Sequence, residues 1–431
     1  MATGKLHILL VDNDLFNRGG ISTISSALAN GMAERGHQVT LYATKTWRQK
    51  SRYPLNPAVN LRLYRFTDNN LKVQKLREEL RTLNPDVCCP LFPDGRHLVW
   101  AVTLLGSGIP LLYSEHHSPR TIEQEWWSRK GRLAAMSGAD RIHLLLPAFT
   151  ESVPDFLRPI VQIIPNPAPA VNGQADAAGR ADGRKRLLWL ARLQEGTKQC
   201  RLAMDAFALL AEKHADWDMQ VVGDGPDRKV IRRHAVALNL GDRLKLRGNT
   251  DAPLAHYLEA QLFCISSRTE GLPNTLLEAQ ACGLPAVGFA VCEGVSDLIR
   301  PGWNGLLAEE MNAACLAQRL DALMGDAEAR RVMGQNALAV RETHSLEKFL
   351  DAWEALFAET AACKGNTVMD AFREEPFASM ARLSAAARRE WLWRDFGKLT
   401  PHSPEAALYW LFWQLPSAVL KNLVNFFPRP G

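Results

Sequence analysis

Ser266-Ser267-Arg268-Thr269-Glu270-Gly271-Leu272-Pro273-Asn274-Thr275-Leu276-Leu277-Glu278-Ala279 is the most informative run in the chain. Residues 262–266 before it are apolar and bounded as a buried parallel strand should be. Gly271-Leu272-Pro273 then forces a tight turn, and a helix is predicted over 275–282. Such a helix start presents unpaired backbone N–H groups and the positive end of a dipole, which favours phosphate. Glu270 lies at the mouth of this turn, and Glu278 about one helical turn in. Two carboxylates so placed can each accept hydrogen bonds from a diol, one on a sugar and one on a ribose. A capped core helix with a solvated Glu278 satisfies the same spacing, so the residues alone leave both readings open.

Outward from this run the pattern repeats. Strands are predicted at 186–191, 219–222 and 286–289, with a helix at 202–211 between the first two. The first half of the chain has the same texture. A strand at 6–11 is broken by Asn17-Arg18-Gly19-Gly20, and a helix follows at 21–32 with Gly36 just past its end. Further strands are expected at 38–43, 86–89 and 109–113, with a helix at 71–83. Strands alternating with helices imply parallel, doubly wound sheets. Residues 168–185 are rich in Ala, Gly and Asp without periodicity, which suits an interdomain linker. The division expected is a first domain at 1–167, a linker at 168–185, a second domain at 186–345 and a closing helix at 346–361. An aromatic and basic helical extension at 362–431 ends the chain.

The bulk numbers agree. A chain of 431 residues is too long for one ordinary domain, and 47% hydrophobic with 23% charged residues is a globular balance. The net charge of +5 suits anionic substrates or an anionic surface, but no dense basic stretch points to nucleic acid. Eight cysteines include no C-x-x-C pair, and Cys264 and Cys282 read as small core residues. The first six residues lack a signal-peptide core, and no apolar run reaches the roughly 18 residues of a membrane span. A reduced, cytoplasmic protein is expected.

Several motifs in order complete the reading. The run from Glu270 to Glu278 resembles the E-x7-E signature of family 4 retaining glycosyltransferases, and the resemblance extends over about residues 5–360. Gly19-Gly20 resembles that family's N-terminal glycine loop, and Ser114-Glu115-His116 its histidine at a strand end. Ile164-Pro165-Asn166-Pro167 is similar to its interdomain edge. Ala191-Arg192-Leu193 followed by Lys198 resembles its Gly-Arg-Leu…Lys loop, with Ala191 in place of the glycine. Gly223-Asp224-Gly225-Pro226 matches its Gly-x-Gly-Pro turn, and Gly294-Val295-Ser296-Asp297-Leu298-Ile299 with Asn304-Gly305-Leu306 its closing block.

The resemblance implies a GT-B fold, two Rossmann-like domains facing a central cleft. It implies a nucleoside diphosphate sugar as donor, UDP most often, and a saccharide or lipid-linked saccharide as acceptor in surface-polysaccharide or glycoconjugate assembly. Arg192 and Lys198 are then expected to stabilise the departing diphosphate without a metal or other cofactor. His116 is expected to hydrogen-bond the donor sugar. Gly19, Gly20, Gly223, Gly225, Gly271, Leu272, Asn274, Thr275 and Glu278 complete the expected donor site, with Glu270 beside the sugar. By the same resemblance, acceptor recognition falls on the N-terminal domain.

Asp12-Asn13-Asp14 has the D-x-D form that holds a divalent ion in another glycosyltransferase fold, but at a strand end before a glycine loop it reads as turn chemistry. A dinucleotide site would need G-x-G-x-x-G, and neither glycine cluster has that spacing. A GT-B epimerase or phosphorylase, or a non-catalytic sugar-nucleotide-binding partner, is the alternative. Near the end of the chain, Trp391, Trp393, Tyr409, Trp410, Phe412 and Trp413 stand with Arg388, Arg389, Arg394 and Lys398. With Trp126-Trp127-Ser128-Arg129-Lys130, they suggest peripheral contact with an anionic membrane at its inner face. Packing on the body or a dimer interface would use the same residue types.

Overall fold

The computed structural model describes residues 4–368, apart from 13–14, 16–18, 44–52, 64–69, 92–99, 101–102, 105–106, 123–131, 133–134, 137, 156 and 180–182. Asn13, Asp14, the Trp126–Lys130 stretch and the aromatic and basic tail therefore lie outside the described residues. The chain separates into two compact units, one of Met1–Ile164 with Leu350–Gly431, the other of Pro165–Phe349.

In the first unit, β1 (His7–Asp12), α1 (Gly20–Glu34), β2 (Gln38–Ala43), β3 (Asn60–Leu63), α2 (Asn70–Leu83) and β4 (Val87–Pro90) follow in order. The four strands form a sheet ordered β3-β2-β1-β4, every pair parallel. β5 (Leu112–Ser114), β6 (Arg141–Leu144) and β7 (Val161–Ile163) form a second parallel set. A parallel bridge from Cys88 to Leu111, with the Cys88 amide 2.9 Å from the Pro110 carbonyl, joins the two sets. Ile8, Leu9, Leu10 and Val11 are fully buried, as a strand covered on both faces requires.

In the second unit, the elements are β8 (Lys185–Leu190), α3 (Glu195–Lys198), α4 (Cys200–Leu210), β9 (Trp217–Val222), α5 (Arg228–Ala237), β10 (Leu244–Gly248), α6 (Pro253–Leu258), β11 (Leu262–Cys264), α7 (Asn274–Ala281), β12 (Ala286–Phe289), α8 (Glu293–Leu298) and β13 (Gly305–Ala308). The strand order is β10-β9-β8-β11-β12-β13, all parallel. That is the doubly wound order with its reversal between β8 and β11. Ligands of such sheets bind beyond the strand ends at the reversal, which here means the loops after Leu190 and Cys264.

Two segments are tied down in ways their composition does not show. Of residues 168–185, expected as a linker, 168–179 run along the second unit. The Ala168 amide donates to the His344 carbonyl and that of Ala175 to Cys282, both at 2.8 Å. Buried Arg330 reaches the carbonyls of Ala177 at 2.8 Å and Ala178 at 2.6 Å.

The last described helix, α9 (Leu346–Ala361), belongs from Leu350 onward to the first unit. Its Glu354 accepts from Arg35 at 2.5 Å and pairs with His37 at 3.0 Å. Leu350 fills the space over Gly31 of α1, where a Cβ would lie 2.4 Å from its methyl carbon. Trp353 is fully buried against His143 of β6, ring centroids 4.5 Å apart. Among the described residues, no helix is long and apolar enough to cross a membrane.

Trp353→Ala should leave a cavity in the first unit and cost about 3–5 kcal/mol of its stability. Denaturant unfolding followed by pulse proteolysis will check this, with cleavage of the first unit advancing to lower denaturant and that of the second unchanged.

Candidate functional site

The second unit's site is built at the sheet reversal. α3 ends at Lys198, and Gln199 takes a left-handed conformation (φ 48°) before α4 begins. The loop is fastened to the end of β11. Ser266 Oγ accepts from Trp189 Nε1, and its single proton is shared between the carbonyls of Lys198 and Gln199, each contact at 2.9 Å. The Arg268 amide donates to the Thr197 carbonyl at 2.7 Å. Lys198 is thus delivered to Glu270: Nζ donates to Oε1 at 2.5 Å, and Ser267 Oγ donates to the same oxygen at 2.6 Å. The Glu270 side chain is 10% exposed and that of Lys198 25%, so the pair is largely buried with part of the lysine open to solvent.

Arg192 is exposed, and its guanidinium makes no hydrogen bond or ion pair among the described residues. Its loop is held from below. The Leu193 amide donates to the Asp224 carbonyl at 3.0 Å, and the Asp227 amide to the Leu193 carbonyl at 3.1 Å. This explains Gly223 and Gly225. Gly223 has φ 144°, and a Cβ there would lie 1.9 Å from the Ala191 carbonyl oxygen. A Cβ on Gly225 would lie 2.4 Å from that of Leu193. Both glycines let the Arg192 loop lie on the β9 turn.

α7 starts after Pro273, with no side chain capping it. The Leu276 and Leu277 amides turn back to the Pro273 carbonyl, at 3.0 and 3.2 Å. Those of Asn274 and Thr275 meet no acceptor among the described residues, so two oriented donors stand at the helix's positive end. The Asn274 side chain is fixed by Asn166 at 2.9 Å. The turn carrying Gly271 and buried Leu272 is backed by α8, since a Cβ on Gly294 would lie 2.4 Å from the Gly271 carbonyl oxygen. Glu278 is not a solvated surface residue. Part of its surface meets solvent, but burial pushes its pKa up to about 7, against the hydrogen bond it accepts from the Tyr257 hydroxyl at 2.8 Å.

In the first unit, His116 lies just past the end of β5 and is buried. Its Nε2 is 2.9 Å from Ser114 Oγ. Glu115 between them faces a different partner. Arg132 grips it with two bonds, 2.8 and 2.9 Å, and the Tyr113 hydroxyl adds a third at 2.8 Å, all fully buried. Adjacent His117 uses Nδ1 on the His116 carbonyl, at 2.9 Å. Gly19 precedes α1 with open space around its α-carbon, and Gly20 is the helix's first residue. Asp12 is buried and accepts from Ser25 Oγ within this unit. Among the described residues, no cluster of three or more His, Cys, Asp or Glu is arranged to hold a metal.

A family model for glycosyl transferases group 1 matches residues 174–340, and one for glycosyltransferase family 4 matches 18–167. The chain is a family 4 glycosyltransferase. It is 25% identical to an uncharacterised glycosyltransferase of Haemophilus influenzae over 348 residues, 78% of this chain and 96% of that one. It is 23% identical, over 80% of this chain and 96% of the relative, to a Campylobacter jejuni enzyme. That enzyme is named as adding N-acetylgalactosamine to a diphospho-undecaprenol-linked saccharide. The crystal structure of Anabaena HepE with UDP and glucose superposes with a TM-score of 0.65 at 16% identity, over 81% of this chain and 98% of that one. These matches make the protein a GT-B glycosyltransferase.

Ser267, Tyr257 and the Arg132 partner of Glu115 were not apparent from the sequence. Ser267 lies at a strand end three residues before Glu270, where a hydroxyl commonly serves a neighbouring carboxylate. Tyr257 and Arg132 had no signal, being 21 and 17 positions from the carboxylates they serve.

The raised pKa of Glu278 has a stability consequence. The folded protein keeps this proton up to about pH 7, while an unfolded glutamate releases it near 4.5. Between those values the folded state binds more protons, so stability falls as pH rises, and the cost is complete above about 7. Glu278→Gln removes the titration. Unfolding of both proteins at pH 5 and pH 8 should show the variant gaining on the wild type as pH rises; equal differences at the two pH values would contradict the buried-carboxyl account.

Proposed function

We propose that this glycosyltransferase moves a hexose-type sugar from a nucleoside diphosphate sugar, with UDP as nucleotide, to a saccharide or lipid-linked saccharide, retaining the anomeric configuration. The observation carrying this reading is the pairing of Lys198 with Glu270 beside the uncapped start of α7. A diphosphate needs oriented N–H donors and a nearby cation, and the start of α7 with Lys198 offers both.

In the proposed reaction the acceptor hydroxyl attacks the anomeric carbon on the face from which the diphosphate leaves. The carbon–oxygen bond to the β-phosphate breaks, and its electron pair stays on the phosphate oxygen. That phosphate takes the acceptor's proton as the new glycosidic bond forms. Lys198 and Arg192 stabilise the charge that develops, a task for preorganised cations in a water-poor site. Asn274 and Thr275 donate their amides to the diphosphate, and Gly271 and Leu272 line the turn before them. Glu278 accepts from the ribose diol, and Glu270 from the sugar. His116 is the first unit's contribution to sugar binding, and Gly19 and Gly20 allow close backbone approach there. No metal or other cofactor takes part.

The choice of UDP is supported by the Anabaena protein bound to UDP and glucose, and a lipid-linked acceptor by the name of the Campylobacter relative. Such acceptors belong to surface-polysaccharide and glycoconjugate assembly. A cytoplasmic protein acting on them would work at the inner membrane face, where the basic and aromatic residues of 388–413 suit an anionic surface.

The test is product analysis with UDP-, GDP- and ADP-sugars, with and without saccharide and polyprenyl-linked acceptors. Free nucleoside diphosphate should form only with an acceptor, and an α-linked donor should give an α-glycoside by nuclear magnetic resonance. Activity should survive EDTA. Lys198→Ala should lower kcat by roughly 10²–10³-fold, the effect of losing one such electrostatic donor. An isomerised nucleotide sugar, a β-linked product, or activity lost to EDTA and restored by Mn²⁺ would overturn the reading.

A further inference from the structure

A second histidine lies on the strand beside His116. His143 of β6 is fully buried, with Nε2 2.9 Å from the Ile164 carbonyl oxygen. A carbonyl only accepts, so the ring proton is on Nε2. Burial holds the pKa of His143 down to about 4, so the ring is neutral near pH 7 and its Nδ1 carries a bare lone pair. Ser114 Oγ stands 2.9 Å from that Nδ1 and must donate to it. The same oxygen is 2.9 Å from His116 Nε2. Its single proton is already committed, so it accepts here, and His116 must be protonated on Nε2. Every bond in the series therefore runs one way, from His116 through Ser114 and His143 to the Ile164 carbonyl.

Both ends of the series are anchored. The Ile164 amide donates to the Leu144 carbonyl at 3.0 Å, which fixes the terminal acceptor. Trp353 covers one side of His143, and the His143 and His116 rings lie 5.2 Å apart. The buried Glu115–Arg132 pair pins the residue between Ser114 and His116. Turning the His116 ring over would set a carbon against Ser114 Oγ and forfeit the bond.

We propose that Ser114 and His143 are positioning residues that lock His116 into the Nε2-protonated form and fix its ring plane. Any proton that His116 gains or loses is then carried on Nδ1, which accepts a hydrogen bond when the ring is neutral and donates one when it is charged. This rests on the reading of His116 as the residue that contacts the donor sugar.

The experiment labels the histidines of the full chain with nitrogen-15 and reads each ring's tautomer from long-range proton–nitrogen spectra. In the wild type both rings should show the Nε2–H pattern, with His143 staying neutral from pH 5 to 8. In Ser114→Ala, His143 should keep its pattern while His116 becomes a mixture of tautomers. In the transfer assay the same variant should lose kcat roughly 10–100-fold, as when a histidine loses the partner that orients it. The donor KM should change little, and Ser114→Thr, which keeps the hydroxyl, should restore kcat. An Nδ1–H pattern for His116 in the wild type, or Ser114→Ala with unchanged tautomer or unchanged kcat, would overturn the proposal. If the wild type transferred no sugar, the functional reading would fall, and the wild-type spectra would still decide the hydrogen-bond series.

Discussion

The ion pair between Lys198 and Glu270 is the contact on which the second unit's site depends. Neither residue reaches the other through local sequence. Lys198 follows β8 and Glu270 follows β11, and the two strands are neighbours because the sheet order reverses between them. Ser266 then stitches the two loops together through one hydroxyl and three bonds. The carboxylate holds the lysine ammonium at 2.5 Å. In the proposed reading, a diphosphate arriving at the start of α7 must draw Lys198 away from Glu270, so the ion pair competes with binding.

The first unit uses the same economy of buried polar groups, differently arranged. Two networks flank the end of β5. Glu115 with Arg132 is a fully buried pair whose partners saturate both carboxylate oxygens. Ser114 with His143 is an uncharged series that ends on a backbone carbonyl. Alternation along the strand end sends successive side chains to opposite sides, so the two networks do not compete. Removing one partner of the buried pair would leave an uncompensated charge, a loss of about 3–5 kcal/mol. The strand end that bears His116 is consequently held on both sides.

Much of this architecture was legible in the sequence, for a physical reason. Strands buried on both faces, such as 8–11 of β1 and Ala286–Phe289, are continuous apolar runs with clear ends. β3 and β10 escaped notice because they are edge strands, with polar residues interleaved and partial exposure along their length. The stretch 168–185 looked like a linker because its composition carries no period. Its attachment is through backbone carbonyls to Arg330, a long-range contact with no local pattern. Glu270 and Glu278 were legible as candidates from their places around the turn, and Lys198 from the family resemblance of its loop. Their partners Ser267 and Tyr257, and the His143 that serves His116, were not, because tertiary contact alone selects them.

The central claim is that Lys198 is the cation for a nucleoside diphosphate and that Glu270 holds it in place until one binds. Calorimetric titration of UDP into the wild type and into Glu270→Gln tests this directly, since UDP lacks the transferred sugar that would contact Glu270. With the competing carboxylate removed, Lys198 should be fully available to the diphosphate, and the variant should bind UDP more tightly than the wild type. Equal or weaker binding by the variant, or no binding by either protein, would contradict the account.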